Sequence, residues 1–191
     1  SSPRADEKRS YEGLRKVKTS IALIGFMGTG KTAVGKALAE KLGKEFFELD
    51  LLIEKKARKT IPAIFKEDGE ISFRSFEIEV VKEVRQQRNA VIACGGGVIL
   101  NKINIDRLRK EAVIVYLTAS PRVILRRISR DIDERPLLAV ANPALTIKDL
   151  LRFRRPLYER AADVTVNTSG LDIDSVVRQI TAKIKEYESL S

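Results

Sequence analysis

Short apolar, β-prone runs alternate with longer stretches in which apolar residues recur every three to four positions, from Thr19 almost to the end of the chain. The runs Ser20–Ile24, Phe46–Leu49, Ala90–Cys94, Val113–Leu117 and Val164–Val166 predict strands. The helical period runs through Lys31–Leu42, Leu51–Arg58, Ile71–Arg88, Ile103–Lys110, Pro121–Ser129, Ile147–Ala161 and Asp172–Tyr187. In the first of these, Ala33, Val34, Ala37, Leu38 and Leu42 share a face, with Lys36, Glu40 and Lys41 elsewhere. Five strands separated by helices imply an α/β fold with a parallel sheet covered on both faces. Ser120 before Pro121 reads as a helix start, a hydroxyl cap followed by proline in the first turn. Pro156 falls inside a helical pattern and predicts an end or kink near Arg155. Such a kink would splay Arg154 and Arg155 toward one point; a solvated basic face is the other reading.

The chain has 191 residues, 43% of them hydrophobic, which suffices for one well-buried core and is too short for two ordinary domains. We expect a flexible leader, or a segment added for expression, over residues 1–18 and a single domain over 19–191. Arg130–Leu145 breaks the helical pattern, charged first and then rich in small residues and proline. It reads equally as a lid or as an ordinary surface loop. The net charge of +10 is scattered and interleaved with Asp and Glu, without an aromatic-plus-basic platform, so no nucleic-acid partner is expected. A positive field also raises the encounter rate with small anions. Histidine is absent, so any proton acceptor is expected to be a carboxylate. The single Cys94 cannot form an internal disulfide and reads as buried packing. No apolar run reaches a membrane span and the N-terminus lacks the apolar core of a secretory signal, so a cytoplasmic protein without a membrane partner is expected.

The candidate chemistry begins at Gly25-Phe26-Met27-Gly28-Thr29-Gly30-Lys31-Thr32, directly after the first strand and opening the first helix. This spacing is that of a phosphate-binding loop. Its glycines let backbone N–H groups converge on an anion at the positive end of a helix dipole. Lys31 is placed to meet the β- and γ-phosphates, and the Thr32 hydroxyl to ligate a bridging Mg²⁺.

Among the predicted strand ends, only Phe46-Phe47-Glu48-Leu49-Asp50 carries acids. On a strand, Glu48 and Asp50 share a face near the C-terminal edge, where open α/β sheets bind ligands. They are candidates for metal and acceptor; Asp50 also reads as a cap of the next helix. Arg74 and Glu77 are helical neighbours, so the carboxylate can orient the guanidinium to receive an anion, or the two form a surface ion pair worth little. Gly95-Gly96-Gly97 after a strand permits close approach to backbone N–H groups.

In this order and spacing, the phosphate loop, Leu49-Asp50 with Ile53-Glu54, Ile64-Phe65 with Asp68-Gly69-Glu70, Phe73-Arg74 and Gly95-Gly96-Gly97 resemble the shikimate kinase family. Arg135-Pro136-Leu137-Leu138 and Arg154-Arg155-Pro156-Leu157-Tyr158 extend the resemblance, which covers Thr19 to Glu186. It implies a three-layer phosphate-loop kinase with sheet order 2-3-1-4-5 and a lid over about 130–145. The implied reaction is ATP plus shikimate giving ADP plus shikimate 3-phosphate, with Mg²⁺ as cofactor, in the pathway to chorismate and the aromatic amino acids. Position by position, it implies ATP on Gly28, Thr29, Gly30, Lys31, Thr32 and Ala33. Arg135 would come from the lid to the phosphates, and Arg127 or Arg130 would lie against adenine. Lys31, Asp50 and Arg135 are the implied catalytic residues. Shikimate would meet Asp50, Arg74, Gly95, Gly96, Gly97 and Arg154, its carboxylate held by the two arginines. Glu48 is the departure: the family usually has Asp there, near magnesium through a water. A monomer is expected. Another small-molecule or nucleoside-monophosphate kinase, and a non-catalytic nucleotide-responsive binding protein, are the alternatives.

Overall fold

The computed structural model describes residues 17–129, 142–170 and 172–190. Strands β1 (Ser20–Ile24), β2 (Glu45–Glu48), β3 (Ala90–Ala93), β4 (Ala112–Thr118) and β5 (Val164–Asn167) form one sheet in the order β2-β3-β1-β4-β5. Every neighbouring pair is parallel. The helices are α1 (Lys31–Leu42), α2 (Leu49–Ala57), α3 (Ile61–Glu67), α4 (Gly69–Val84), α5 (Lys102–Glu111), α6 (Pro121–Ile128), α7 (Pro143–Ala161) and α8 (Ile173–Ser189).

Alternation along the strands divides the core in two. Ala22 and Ile24 of β1, with Ile92, Ile114 and Tyr116, face a large apolar layer formed by α2 to α7. Ile21 and Leu23, with Val91, Val113, Val115 and Leu117, face Val34 and Leu38 of α1 and Val177 and Ile180 of α8. The result is the expected three-layer phosphate-loop kinase fold with its five-stranded parallel sheet. Strand β1 leads to β2 on one side of the sheet and its neighbour β4 leads to β5 on the other, so the connections from their C-terminal ends run in opposite directions. That divergence opens a crevice where the phosphate loop begins.

Four local expectations are corrected. Strand β2 ends at Glu48, and Asp50 sits in the first turn of α2, so the two acids meet through a strand-to-helix transition rather than along a strand face. Helix α3 was not anticipated; at seven residues it is too short to show a period, and it starts from the Thr60 hydroxyl, which accepts from Ala63 N at 3.3 Å. Helix α7 begins at Pro143 because Asn142 caps it, its Oδ1 accepting from Leu145 N at 3.2 Å. The break in helical pattern is therefore shorter than Arg130–Leu145, and residues 130–141 lie outside the described residues. Finally, α7 runs on through Pro156. Buried Ile147, Leu151, Arg154, Tyr158 and Ala161 hold both halves of that helix to the core, which outweighs the single N–H that proline removes. Ser120 caps α6 as expected, accepting from Val123 N at 3.2 Å.

Candidate active site

The phosphate loop is shaped by residues that accept left-handed backbone. Gly28 (φ 77°) and Gly30 (φ 91°) both lie in that region, and any side chain at Gly28 would strike Ile128 of α6. The Lys31 ammonium donates to the carbonyls of Gly25 at 2.6 Å and Phe26 at 2.8 Å, which keeps the charge at the centre of the loop. Thr29 Oγ1 donates to Phe26 O at 2.8 Å from a buried position. Arg127 braces the loop from outside, its Nη1 donating to Gly28 O at 3.1 Å and its Nη2 to Thr168 O at 3.1 Å. Thr168 Oγ1, buried after β5, lies 3.1 Å from Thr29 O and 2.8 Å from Thr118 O. Only its position just past a strand end marks Thr168 in the sequence.

Gly28, Gly30, Lys31, Thr32, Ala33 and Arg127 line a cleft of about 310 Å³ whose far wall is Glu48, Asp50 and Cys94-Gly95-Gly96. Thr32 Oγ1 donates to Glu48 Oε1 at 3.2 Å, joining the loop to the end of β2. Cys94 is buried, and burial pushes its thiol far above the usual range, so it stays protonated. A second cleft of about 520 Å³ shares Met27, Glu48, Asp50, Gly95 and Gly96 with the first. It continues to Phe65, Phe73, Arg74, Glu77, Gly97 and Arg154. Arg130 and Arg135 lie outside the described residues.

This second cleft is built around two enclosed arginines. Arg154 is 4% exposed and lies over the Phe26 ring, 5.8 Å from its centroid. Arg155, its neighbour, instead lines a groove with Tyr116 and Glu159, because successive residues of a continuous helix point about 100° apart. Of the two readings of this pair, convergence toward one point is thus absent. Arg74 lies over Phe73 at 5.0 Å, and Phe73 packs on Phe65 with centroids 4.8 Å apart. Arg74 Nη1 donates to both Glu77 oxygens at 3.1 and 3.3 Å, and Glu77 is 1% exposed, so this is no surface pair. The Nε of Arg74 and the Nε of Arg154 are buried with no partner. Two unsatisfied guanidinium donors beside one cleft are costly alone and suited to a carboxylate. The glycine turn has its own reason here: a side chain on Gly97 would overlap the Arg74 guanidinium, and one on Gly95 would come within 2.8 Å of Asp50 Oδ1. The glycines make room for protein groups as well as for a ligand.

Comparison with known proteins matches residues 27–185 to the family described as shikimate kinase. The chain belongs to the shikimate kinase family. A shikimate kinase from Thermodesulfovibrio yellowstonii is 48% identical over 172 residues, spanning 90% of this chain and 96% of the relative. A solved shikimate kinase from Acinetobacter baumannii, in complex with shikimate, superposes with a TM-score of 0.85 at 39% identity, covering 93% of this chain and 97% of that one. A gluconokinase from Sinorhizobium meliloti superposes at 0.61 with 22% identity over 92% of this chain and 97% of its own, a likeness of fold alone. Residues named from the sequence line both clefts, whereas the burial of Glu77 and the place of Phe26 beneath Arg154 carry no local signal.

Burial of Glu77 has a pH signature. Desolvation outweighs the pull of Arg74 and raises its carboxyl from 4.5 to about 7, with Asp50 adding to the rise and Arg154 opposing it. Since the folded value exceeds the unfolded one, the stability from this group is complete below 4.5 and is lost as the pH rises through about 7. Urea unfolding of wild type and Glu77→Gln near pH 5 and pH 8 should show the wild type losing about 2–3 kcal/mol relative to the variant. Parallel pH dependences would contradict this burial.

Proposed function

We propose that the chain transfers the γ-phosphoryl group of ATP to a hydroxyl of shikimate, with Asp50 at the point where the nucleotide and acceptor clefts join. That junction is the observation that carries the reading. On one side the phosphate loop, Lys31 and Thr32 receive the triphosphate. On the other, Arg74 and Arg154 hold the acceptor carboxylate, and Gly95, Gly96 and Gly97 form the wall between them. The family membership and the shikimate-bound relative support the same acceptor. The acceptor hydroxyl oxygen forms a bond to the γ-phosphorus as the bond to the bridging oxygen of ADP breaks. Its proton passes to the Asp50 carboxylate. Lys31 balances charge on the phosphates, and fixed geometry supplies most of the remaining acceleration.

Mg²⁺ fits the residues present. Thr32 and Glu48 bring a hydroxyl and a carboxylate together, all hard oxygen donors. Among the described residues no group of three His, Cys, Asp or Glu side chains could hold a metal alone, which suits an ion held largely by phosphate and water. Thr32 would ligate it directly and Glu48 through a bound water, and the ion would neutralise charge on the β- and γ-phosphates. Arg127 bonds through its edge, and a guanidinium face suits stacking on adenine. Arg130 and Arg135 are proposed to act from a lid that ends before α7 begins at Pro143. We assign the reaction to a cytoplasmic monomer that binds neither nucleic acid nor membrane. No described helix is long and apolar enough to cross a membrane. Another small-molecule or nucleoside-monophosphate kinase would share the loop but has no evident need for two enclosed arginines around one carboxylate.

A coupled ADP-release assay across shikimate, quinate, gluconate and nucleoside monophosphates checks the acceptor. Shikimate should be turned over fastest; preference for a nucleoside monophosphate would replace the reading. The roles of the two acids separate by magnesium titration. Mg²⁺ gives up water reluctantly, so an outer-shell carboxylate tolerates one methylene more or less. Glu48→Asp should stay active, Glu48→Ala should require several-fold more Mg²⁺, and Asp50→Asn should lose turnover even at saturating Mg²⁺. Rescue of Asp50→Asn but not Glu48→Ala by excess Mg²⁺ would exchange the roles.

A further inference from the structure

Tyr158 carries a hydroxyl that the transfer does not use. The residue is fully buried on α7, stacked on Tyr116 of β4 with centroids 5.0 Å apart and planes at 20°. Phenylalanine would fill the same space, and a phenol buried there is unfavourable unless its hydroxyl is bonded. The hydroxyl donates to the carbonyl of Gly96. Burial holds its proton well above the usual tyrosine range, so it remains a donor at any working pH.

Gly96 is common to both clefts, whereas Tyr158 lines neither. A methyl group on Gly96 would sit in ordinary contact with the Met27 amide nitrogen, at 3.5 Å, and with Arg154 Nη1, at 3.6 Å, so the turn faces both the phosphate loop and that arginine across about one methyl group's width. Arg154 lies one helical turn before Tyr158, so both leave the same face of α7. One helix thus brings an acceptor arginine and a hydroxyl to the same glycine. The Arg154 guanidinium has its Nε unpartnered and its face on Phe26, and it is also hydrogen-bonded to the Tyr158 hydroxyl, so its direction depends on packing, on that hydroxyl and on the position of the turn opposite.

We propose that Tyr158 is a positioning residue for the acceptor: its bond to the Gly96 carbonyl fixes the glycine turn at the separation from Arg154 that a carboxylate ligand requires. It acts through Gly96 and Arg154 rather than by touching the acceptor. The inference rests on the acceptor reading above.

Initial-rate kinetics of Tyr158→Phe, with shikimate and ATP varied in turn, test it, alongside thermal unfolding to verify that the variant is folded. Losing one buried hydrogen bond and leaving its carbonyl unpaired should raise the KM for shikimate about five- to tenfold. The KM for ATP should stay within about twofold, and kcat within about threefold, because Lys31 and Asp50 keep their surroundings. Calorimetry should show the same loss in shikimate affinity, which separates binding from chemistry. Tyr116→Phe removes the hydroxyl of the other stacked ring, beside Arg155 and Glu159, and should leave both constants unchanged. A lower melting temperature with an unaltered shikimate KM would make the hydroxyl purely structural and overturn the inference. Equal rises in both KM values would overturn it too. Absence of shikimate turnover by the wild type would overturn the acceptor reading and this inference together.

Discussion

The Gly95–Gly97 turn lies beside the phosphate loop, with about a methyl group's width between Gly96 and Met27 N and Gly25 O, and this spacing sets the distance between the two clefts. It follows from the sheet. Strands β1 and β3 are parallel neighbours paired as Ile21 with Val91 and Leu23 with Ala93, and Cys94 N continues the ladder to Leu23 O at 3.0 Å. Two chain segments therefore leave the sheet side by side and at the same height. One becomes the phosphate loop, the other the glycine turn. Transfer between two anionic partners requires a close and fixed approach, and a shared backbone wall supplies that more rigidly than long side chains would.

Charge is then arranged around the wall. Arg154 and Glu77 are both nearly inaccessible, and Arg74, itself largely enclosed, bridges from Glu77 to the cleft. Buried charges are tolerated when paired and hydrogen-bonded, and here the pairing is incomplete: the two orphan Nε donors leave a recess with unused hydrogen-bonding capacity. Phe26 and Phe73 cover guanidinium faces, which confines the arginines without satisfying their edges. The recess is thus stable enough to persist and unsatisfied enough to favour an anion. Glu77 tempers it, since its carboxyl already accepts from Arg74 Nη1.

Much of this was legible in the sequence because the phosphate loop and the five strands carry strong local signals: glycines at fixed spacing and β-branched runs between periodic helices. Asp50, Arg74 and Arg154 could be named because each stands beside a recognisable short pattern. Their geometry was less accessible. Glu48 and Asp50 meet through a strand-to-helix turn, a boundary that alternation cannot place to the residue. Helix α3 has too few residues for a period, and the persistence of α7 through Pro156 is a tertiary effect of its buried face. Arg74 and Glu77 read as an ordinary surface pair by spacing, and only packing of α4 against the core and the glycine turn reveals them as interior. Phe26 beneath Arg154 joins residues far apart in the chain, and no local pattern encodes such a contact.

A crystal structure of the chain with shikimate and a non-hydrolysable ATP analogue bound together tests the central claim most directly. The account predicts the shikimate carboxylate hydrogen-bonded to both Arg74 and Arg154. It also predicts the acceptor hydroxyl on Asp50, facing the γ-phosphate held by Lys31. A carboxylate seated elsewhere, with the hydroxyl out of reach of Asp50, would contradict it.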